Sequence, residues 1–141
     1  MRISAKTDYA LRAAIELAAL SSADPVKGEA IATAQGIPLR FLENILGDLR
    51  NAGIVESRRG VDGGYLLARP ADSLTVGEVL RSIEGTQQAR TRARRKTESP
   101  FDDMWQRVDQ AVSDVIDKTT FGELVRGWSD KQNRFVLNWE I

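Results

Sequence analysis

Arg40, Glu43 and Asn44 lie three and four positions apart in the run Gly36-Ile37-Pro38-Leu39-Arg40-Phe41-Leu42-Glu43-Asn44-Ile45-Leu46, so on a helix they share a face with Asn51. Leu42, Ile45, Leu46 and Leu49 form the opposite, apolar stripe. One side can be core and the other is free to read something. The chemistry of the polar side suits bases: arginine bonds guanine bidentately, asparagine bonds adenine, and glutamate accepts from cytosine. Further on, Arg58 and Arg59 stand beside Gly60. A cation there suits phosphate, or a narrow minor groove where negative potential concentrates.

These residues need a scaffold, and the surrounding sequence supplies one. Residues 29–35 read as a short helix stopped by Gly36, and Pro38 suits the first turn of the next helix, which gives a helix-turn-helix. Gly53 ends that second helix; residues 54–58 read as a strand, 60–64 as a turn and 65–68 as a returning strand. A helix-turn-helix followed by a glycine-tipped hairpin is a winged helix. Upstream, residues 4–20 form a helix with Tyr9, Ala13, Ile15, Leu17, Ala18 and Leu20 on its apolar face, and Val26 and Lys27 lead into the next helix. Downstream, Thr75 and Glu78 make a capping box and Leu74 with Val79 a hydrophobic staple. The expected helix runs over 76–84 and stops at Gly85.

From Thr86 to Glu98 no apolar residue exceeds alanine, and Arg90, Arg92, Arg94, Arg95 and Lys96 read as a basic flexible loop. Ser99-Pro100 then starts a long helix. Phe101, Met104, Val108, Ala111 and Val115 recur at three and four along it, flanked by Trp105, Val112 and Ile116, a stripe wide enough to need a partner surface. Thr120 and Glu123 repeat the capping box of a short helix reaching about Trp128, and Phe135, Leu137, Trp139 and Ile141 alternate with strand period. The expected organisation is mainly α with a small β wing: a winged helix-turn-helix over 1–85, the basic loop over 86–99, and a dimerisation helix with a C-terminal segment over 100–141.

Composition narrows the chemistry. The chain has 141 residues and zero formal net charge, which argues against a protein that coats nucleic acid by bulk charge. It contains neither cysteine nor histidine, so disulfides, thiol sensing, imidazole metal sites and histidine acid–base catalysis are excluded. No paired carboxylates, activated nucleophile or phosphate loop stands out, so no enzyme is expected. The segment from Met1 to Tyr9 lacks the apolar core of a secretory signal, and no apolar run approaches the ~20 residues of a membrane span. A cytoplasmic protein without a membrane partner is expected.

Tyr9-Ala10-Leu11-Arg12, then Gly36 to Glu43, then Leu49-Arg50-Asn51-Ala52-Gly53-Ile54-Val55, then Arg59-Gly60 with Gly63-Gly64-Tyr65-Leu66-Leu67-Ala68, resemble the Rrf-two (Rrf2) family of bacterial repressors, the IscR, NsrR and CymR type. The resemblance is close over roughly 1–85 and looser over 105–125. It implies a homodimeric winged-helix transcription factor acting on double-stranded DNA, the long helix crossing its twin through Phe101, Met104, Trp105, Val108, Ala111, Val112 and Val115. Carried over, Arg40, Glu43 and Asn44 match positions that approach bases in the major groove. Arg59, with Arg58 beside it, matches the wing arginine of the minor groove, and Ser4, Lys6 and Tyr9 match phosphate-holding positions. The family's iron–sulfur members carry three cysteines where this chain has Gln87 to Pro100 and none, so no cofactor is expected and the nearer likeness is to the cysteine-free, CymR-like branch. Asp8, where some relatives supply a carboxylate ligand, then makes a local cap or salt bridge. Any effector would be an organic molecule or a protein at the junction of the fourth helix, the basic loop and the dimer helix.

A second function class competes, a winged helix that regulates by docking a partner protein through the polar face of its recognition helix. Arg59 discriminates. A wing arginine among glycines favours groove and phosphate contact, whereas a protein-docking wing carries apolar residues.

Overall fold

The computed structural model describes residues 3–20, 23–94 and 98–139, and for 86–94 and 133–139 the backbone alone. Six helices and a hairpin follow in order: α1 (Ala5–Leu20), α2 (Gly28–Gln35), α3 (Leu39–Asn51), β1 (Val55–Arg58), β2 (Gly64–Leu67), a 3-10 turn (Ala71–Ser73), α4 (Val76–Arg94), α5 (Asp102–Ile116) and α6 (Phe121–Trp139). The fold is therefore mainly helical with a small two-stranded sheet.

α1 is the hub, touching α2, α3, α4, α6 and β2. Ala10, Ala13 and Ala14 are fully buried on it, and side chains this small let neighbouring helices approach closely. α3 contributes Leu42, Ile45, Leu46 and Leu49 to the same core, as its apolar stripe requires, and α6 contributes Phe121. At the N-terminus of α1 the Ser4 Oγ accepts the Thr7 amide at 3.1 Å, a cap on the first turn. The buried Thr7 hydroxyl donates to Glu84 of α4 at 2.7 Å, so the polar group inside the core is satisfied.

The helix-turn-helix is held from behind by α1. Arg12 donates to the Gln35 carbonyl at 2.8 Å, at the carbonyl end of α2 where a cation is favoured, and the Gln35 amide donates to Glu16 at 2.7 Å. Gly36 adopts φ 63° and Gly53 φ 78°, closing α2 and α3 in the left-handed conformation that glycine takes without a steric penalty.

β1 and β2 pair antiparallel with Val55 opposite Leu67 and Arg58 opposite Gly64. Val26 adds a bridge that the sequence pattern did not reveal: its backbone exchanges two 2.8 Å hydrogen bonds with Tyr65, fastening the wing to the entry of α2. A Cβ on Gly64 would lie 2.5 Å from the Val26 carbonyl oxygen, so this junction requires glycine.

Two expectations are corrected. α4 does not stop at Gly85 but continues to Arg94, so the first part of the expected basic loop is helical; Arg95, Lys96 and Thr97 lie outside the described residues. Gly85 is not among the positive-φ glycines, and the residues after it (Gln, Ala, Arg) are good helix formers, so one glycine costing about 1 kcal/mol does not end the run. A run without large apolar residues is thus compatible with helix as well as with loop. Likewise α6 runs on to Trp139, replacing the short helix and alternating tail expected over 120–141. Phe121, Leu124, Val125, Trp128, Phe135 and Trp139 also fit helical spacing, and helix propagation from an existing turn is easier than forming a lone strand. Ile141 lies outside the described residues.

The start of α4 and the start of α6 are built from one repeated pattern. Asp72-Ser73-Leu74-Thr75-Val76-Gly77-Glu78-Val79-Leu80-Arg81 aligns position for position with Asp117-Lys118-Thr119-Thr120-Phe121-Gly122-Glu123-Leu124-Val125-Arg126. Both capping boxes form, Thr75 and Thr120 accepting the Glu78 and Glu123 amides at 3.2 Å. The two copies clasp each other: Val76 donates to the Thr119 carbonyl at 2.9 Å and Phe121 to that of Leu74 at 3.0 Å. Their ion pairs are exchanged. Arg81 of the first copy grips Asp117 of the second, with Nη2 donating to Oδ2 at 2.8 Å, and Arg126 of the second holds Asp72 of the first at 2.6 Å. Gly77 and Gly122 make room, since a Cβ on either would sit 2.0 Å from the carboxylate of Asp117 or Asp72. The Arg81 hydrogen bonds hold the Asp117 carboxyl below the usual range, and Asp117 in turn raises the Arg81 guanidinium.

Candidate nucleic-acid interface

Helix α3 keeps its amphipathic division in the fold. Leu42, Ile45, Leu46 and Leu49 are buried, while Arg40, Glu43 and Asn44 are all exposed along the opposite side. Among the described residues no hydrogen bond or ion pair engages the side chains of Arg40, Glu43, Asn44 or Arg59. Exposed charges are solvated by water, and among the described residues other surface side chains such as Arg107, Lys118 and Asp109 are unpaired too, so it is the grouping on one helix face that sets these residues apart. A set of donors and acceptors left uncommitted on one helix face, with a further free arginine on the wing, can bond an external ligand without first breaking internal contacts.

The wing positions Arg59 at the start of the turn that joins β1 to β2. Gly63 donates to the Gly60 carbonyl at 3.0 Å to close this turn, and Lys27 Nζ reaches the same carbonyl at 3.2 Å. Lys27 thus braces the wing tip against the entry to α2, a role that its sequence position did not announce. Arg58 differs from Arg59, because it lies on the strand 3.7 Å from Glu56. Its charge is partly answered within the protein.

The three residues matched to phosphate positions sit near the start of α1, but their side chains are partly occupied. Ser4 spends its oxygen on the cap of α1, where it also lies 2.9 Å from the Thr7 hydroxyl. Lys6 pairs with Asp48 of α3 at 2.9 Å, both side chains about half exposed, an arrangement that phosphate could displace at little cost. Tyr9 packs at the edge of the core with the Arg12 guanidinium 5.0 Å from its ring centre. Asp8 lies 3.3 Å from Arg12 Nε one turn on, the local salt bridge expected of it.

On the other half of the chain, α5 has no buried residue. Phe101, Trp105, Val108 and Val115 are 60%, 47%, 44% and 65% exposed, and Met104 and Ala111 are exposed beside them, with Val112 half-buried. On α6, Leu124 and Trp128 are exposed as well. All three tryptophans, Trp105, Trp128 and Trp139, belong to α5 and α6.

A cleft of about 320 Å³ lies between the end of α1 and β2, lined by Leu17, Leu20, Val26, Tyr65 and Leu67 among others. It is distinct from the junction where an effector was expected. The cysteine ligands of an iron–sulfur cluster are missing from this chain. It offers no thiolate or imidazole, and among the described residues no three acidic side chains converge on a common point.

Comparison with known proteins agrees with this geometry. The sequence pattern of the Rrf2 family, described as an iron-dependent transcriptional regulator, matches residues 3–127. An HTH-type transcriptional regulator of Mycobacterium tuberculosis is 38% identical over 134 residues, 90% of this chain and 83% of that protein. CymR of Bacillus subtilis is 33% identical over 137 residues, 97% of this chain and 99% of its own length. Among solved structures, T. potens IscR superimposes with a TM-score of 0.81 at 30% identity over 94% of this chain and 91% of that one.

Proposed function

The chain belongs to the Rrf2 family of transcriptional regulators, and from that premise we propose that it works as a homodimeric repressor on a near-palindromic operator, without an iron–sulfur cluster. That it is a DNA-binding regulator and not an enzyme follows from the family; the dimer, the operator symmetry and the mode of action are our reading. The observation that carries it is the pairing of an uncommitted reading face on α3 with an uncovered apolar stripe on α5. The first can bond base edges, and the second can bury itself against a surface of the same kind.

In this reading α5 crosses its twin and sets two α3 helices at a fixed separation, each entering a major groove with Arg40, Glu43 and Asn44 toward base edges. Arg59 follows the wing into the adjacent minor groove, with Arg58 close to the phosphates beside it. The amino end of α1, with Ser4, Lys6 and Tyr9, lies over the backbone and fixes register. Repression needs nothing more than occupancy, because a small dimer lying over a promoter blocks access. The absence of cysteine and histidine removes the usual ligands of an iron-based signal, so occupancy would respond to an organic molecule or a protein instead.

Selection from random duplexes should return two-fold-related half-sites about one helical turn apart, or a small multiple of that distance. Binding to the selected duplex should weaken steeply with salt and ignore iron chelators. A selected motif without two-fold symmetry, or chelator-sensitive binding, would overturn the proposal.

A further inference from the structure

Of the large apolar side chains on α3, Leu42, Ile45, Leu46 and Leu49 are at most 2% exposed, yet Phe41 is 56% exposed. It sits in the first turn of the helix, beside Arg40 and one turn before Asn44 and Ile45. At 100° per residue Phe41 falls on the flank of α3, between the buried stripe and the reading face, on the same flank as Asp48 seven positions on. Asp48 is the residue that Lys6 of α1 grips, so at Asp48, about 10 Å along the helix from Phe41, this flank meets α1. If α3 enters a major groove, Phe41 stands between the residues aimed at base edges and those aimed at the phosphate strand.

One apolar group occupies that place in B-DNA. Across the major-groove edge of a T·A pair the order is N7, N6 amino, O4 and then the thymine C5-methyl, which lies outermost, nearest its own backbone. Arginine, glutamate and asparagine can use the first three. An exposed phenyl ring on the backbone side of the reading face matches the fourth, and burying the two apolar surfaces against each other removes both from water.

We propose that Phe41 is a specificity-determining residue that reads a thymine methyl group in each half-site. The inference rests on the operator-binding reading above, and the test separates the two. On the selected operator, deoxyuridine replaces thymine at each position in turn, deleting the methyl group and no hydrogen-bonding atom. Wild-type protein should lose about fourfold in affinity at one thymine per half-site and about fifteenfold when both are replaced, as expected for burying one carbon group each. Phe41→Ala should bind the thymine operator more weakly but show no thymine-to-uracil difference at that position, and Phe41→Leu should keep part of it. Because Phe41 is exposed, neither variant should disturb folding, which a thermal melt checks.

If wild type shows no methyl-dependent position while Phe41→Ala weakens every sequence equally, the ring packs on sugar and the inference fails, with operator binding intact. If Phe41→Ala retains the wild-type uracil penalty, another residue reads the methyl and the inference fails again. A failure to select any operator would instead strike the underlying reading.

Discussion

Arg40 and Arg59 carry the same guanidinium but stand on different elements, and under the proposed docking they should fail differently. Arg40→Ala should cost about 1 to 3 kcal/mol on the best operator and relax preference at one base pair per half-site. Arg59→Ala should weaken sites according to the A·T content beneath the wing, leaving the major-groove preference in place. A binding series on operator variants checks this; equal losses on every sequence would mean that neither residue reads anything. The exposed polar face proposed to read bases was visible beforehand because a 3.6-residue period separates Arg40, Glu43 and Asn44 from four aliphatic residues. Phe41 was not, since a flank position belongs to neither face and only its exposure in the fold reveals it. Ser4 shows the opposite difficulty. Its type suits phosphate and helix capping alike, and the fold uses it as a cap.

Among the elements, the clasp between the starts of α4 and α6 joins the DNA-binding part to the helix that follows α5. Each capping box was legible from its threonine and glutamate, because those bonds close within one turn. The exchange of ion pairs was not, because Arg81 and Asp117 are brought together by tertiary packing that neither local segment encodes. Asp117 has a depressed pKa in the folded chain, so its contribution is present above the unfolded value near 3.9 and is lost as pH falls through the folded one. Asp117→Asn should therefore destabilise the protein at neutral pH while making less difference in strong acid. Urea unfolding of both proteins at neutral and acid pH tests this, and an equal difference at both would exclude the ion pair as the cause. The overrun of α4 and α6 past their expected ends has another origin. Weak stop signals such as Gly85 and a short alternation compete with a helix already nucleated by a good cap.

At the scale of the whole molecule, the winged-helix half closes a core around α1 while α5 buries none of its own residues. That asymmetry is the physical ground for proposing association, and it was legible as a stripe too wide for an isolated surface helix. Trp105→Asp or Val108→Asp would place a charge in the proposed seam, where desolvation without a partner is costly. Sedimentation should show monomers for either variant, with tight operator binding lost together with the dimer, whereas thermal stability of the winged-helix half should change little. A dimer untouched by both substitutions would move the interface elsewhere. The placement of the tryptophans also makes the chain its own optical reporter. Since every indole lies on α5 or α6 and none on the winged helix, ultraviolet-excited emission should shift to shorter wavelength as protein concentration rises and Trp105 leaves water, and should stay almost silent when DNA is added to preformed dimer.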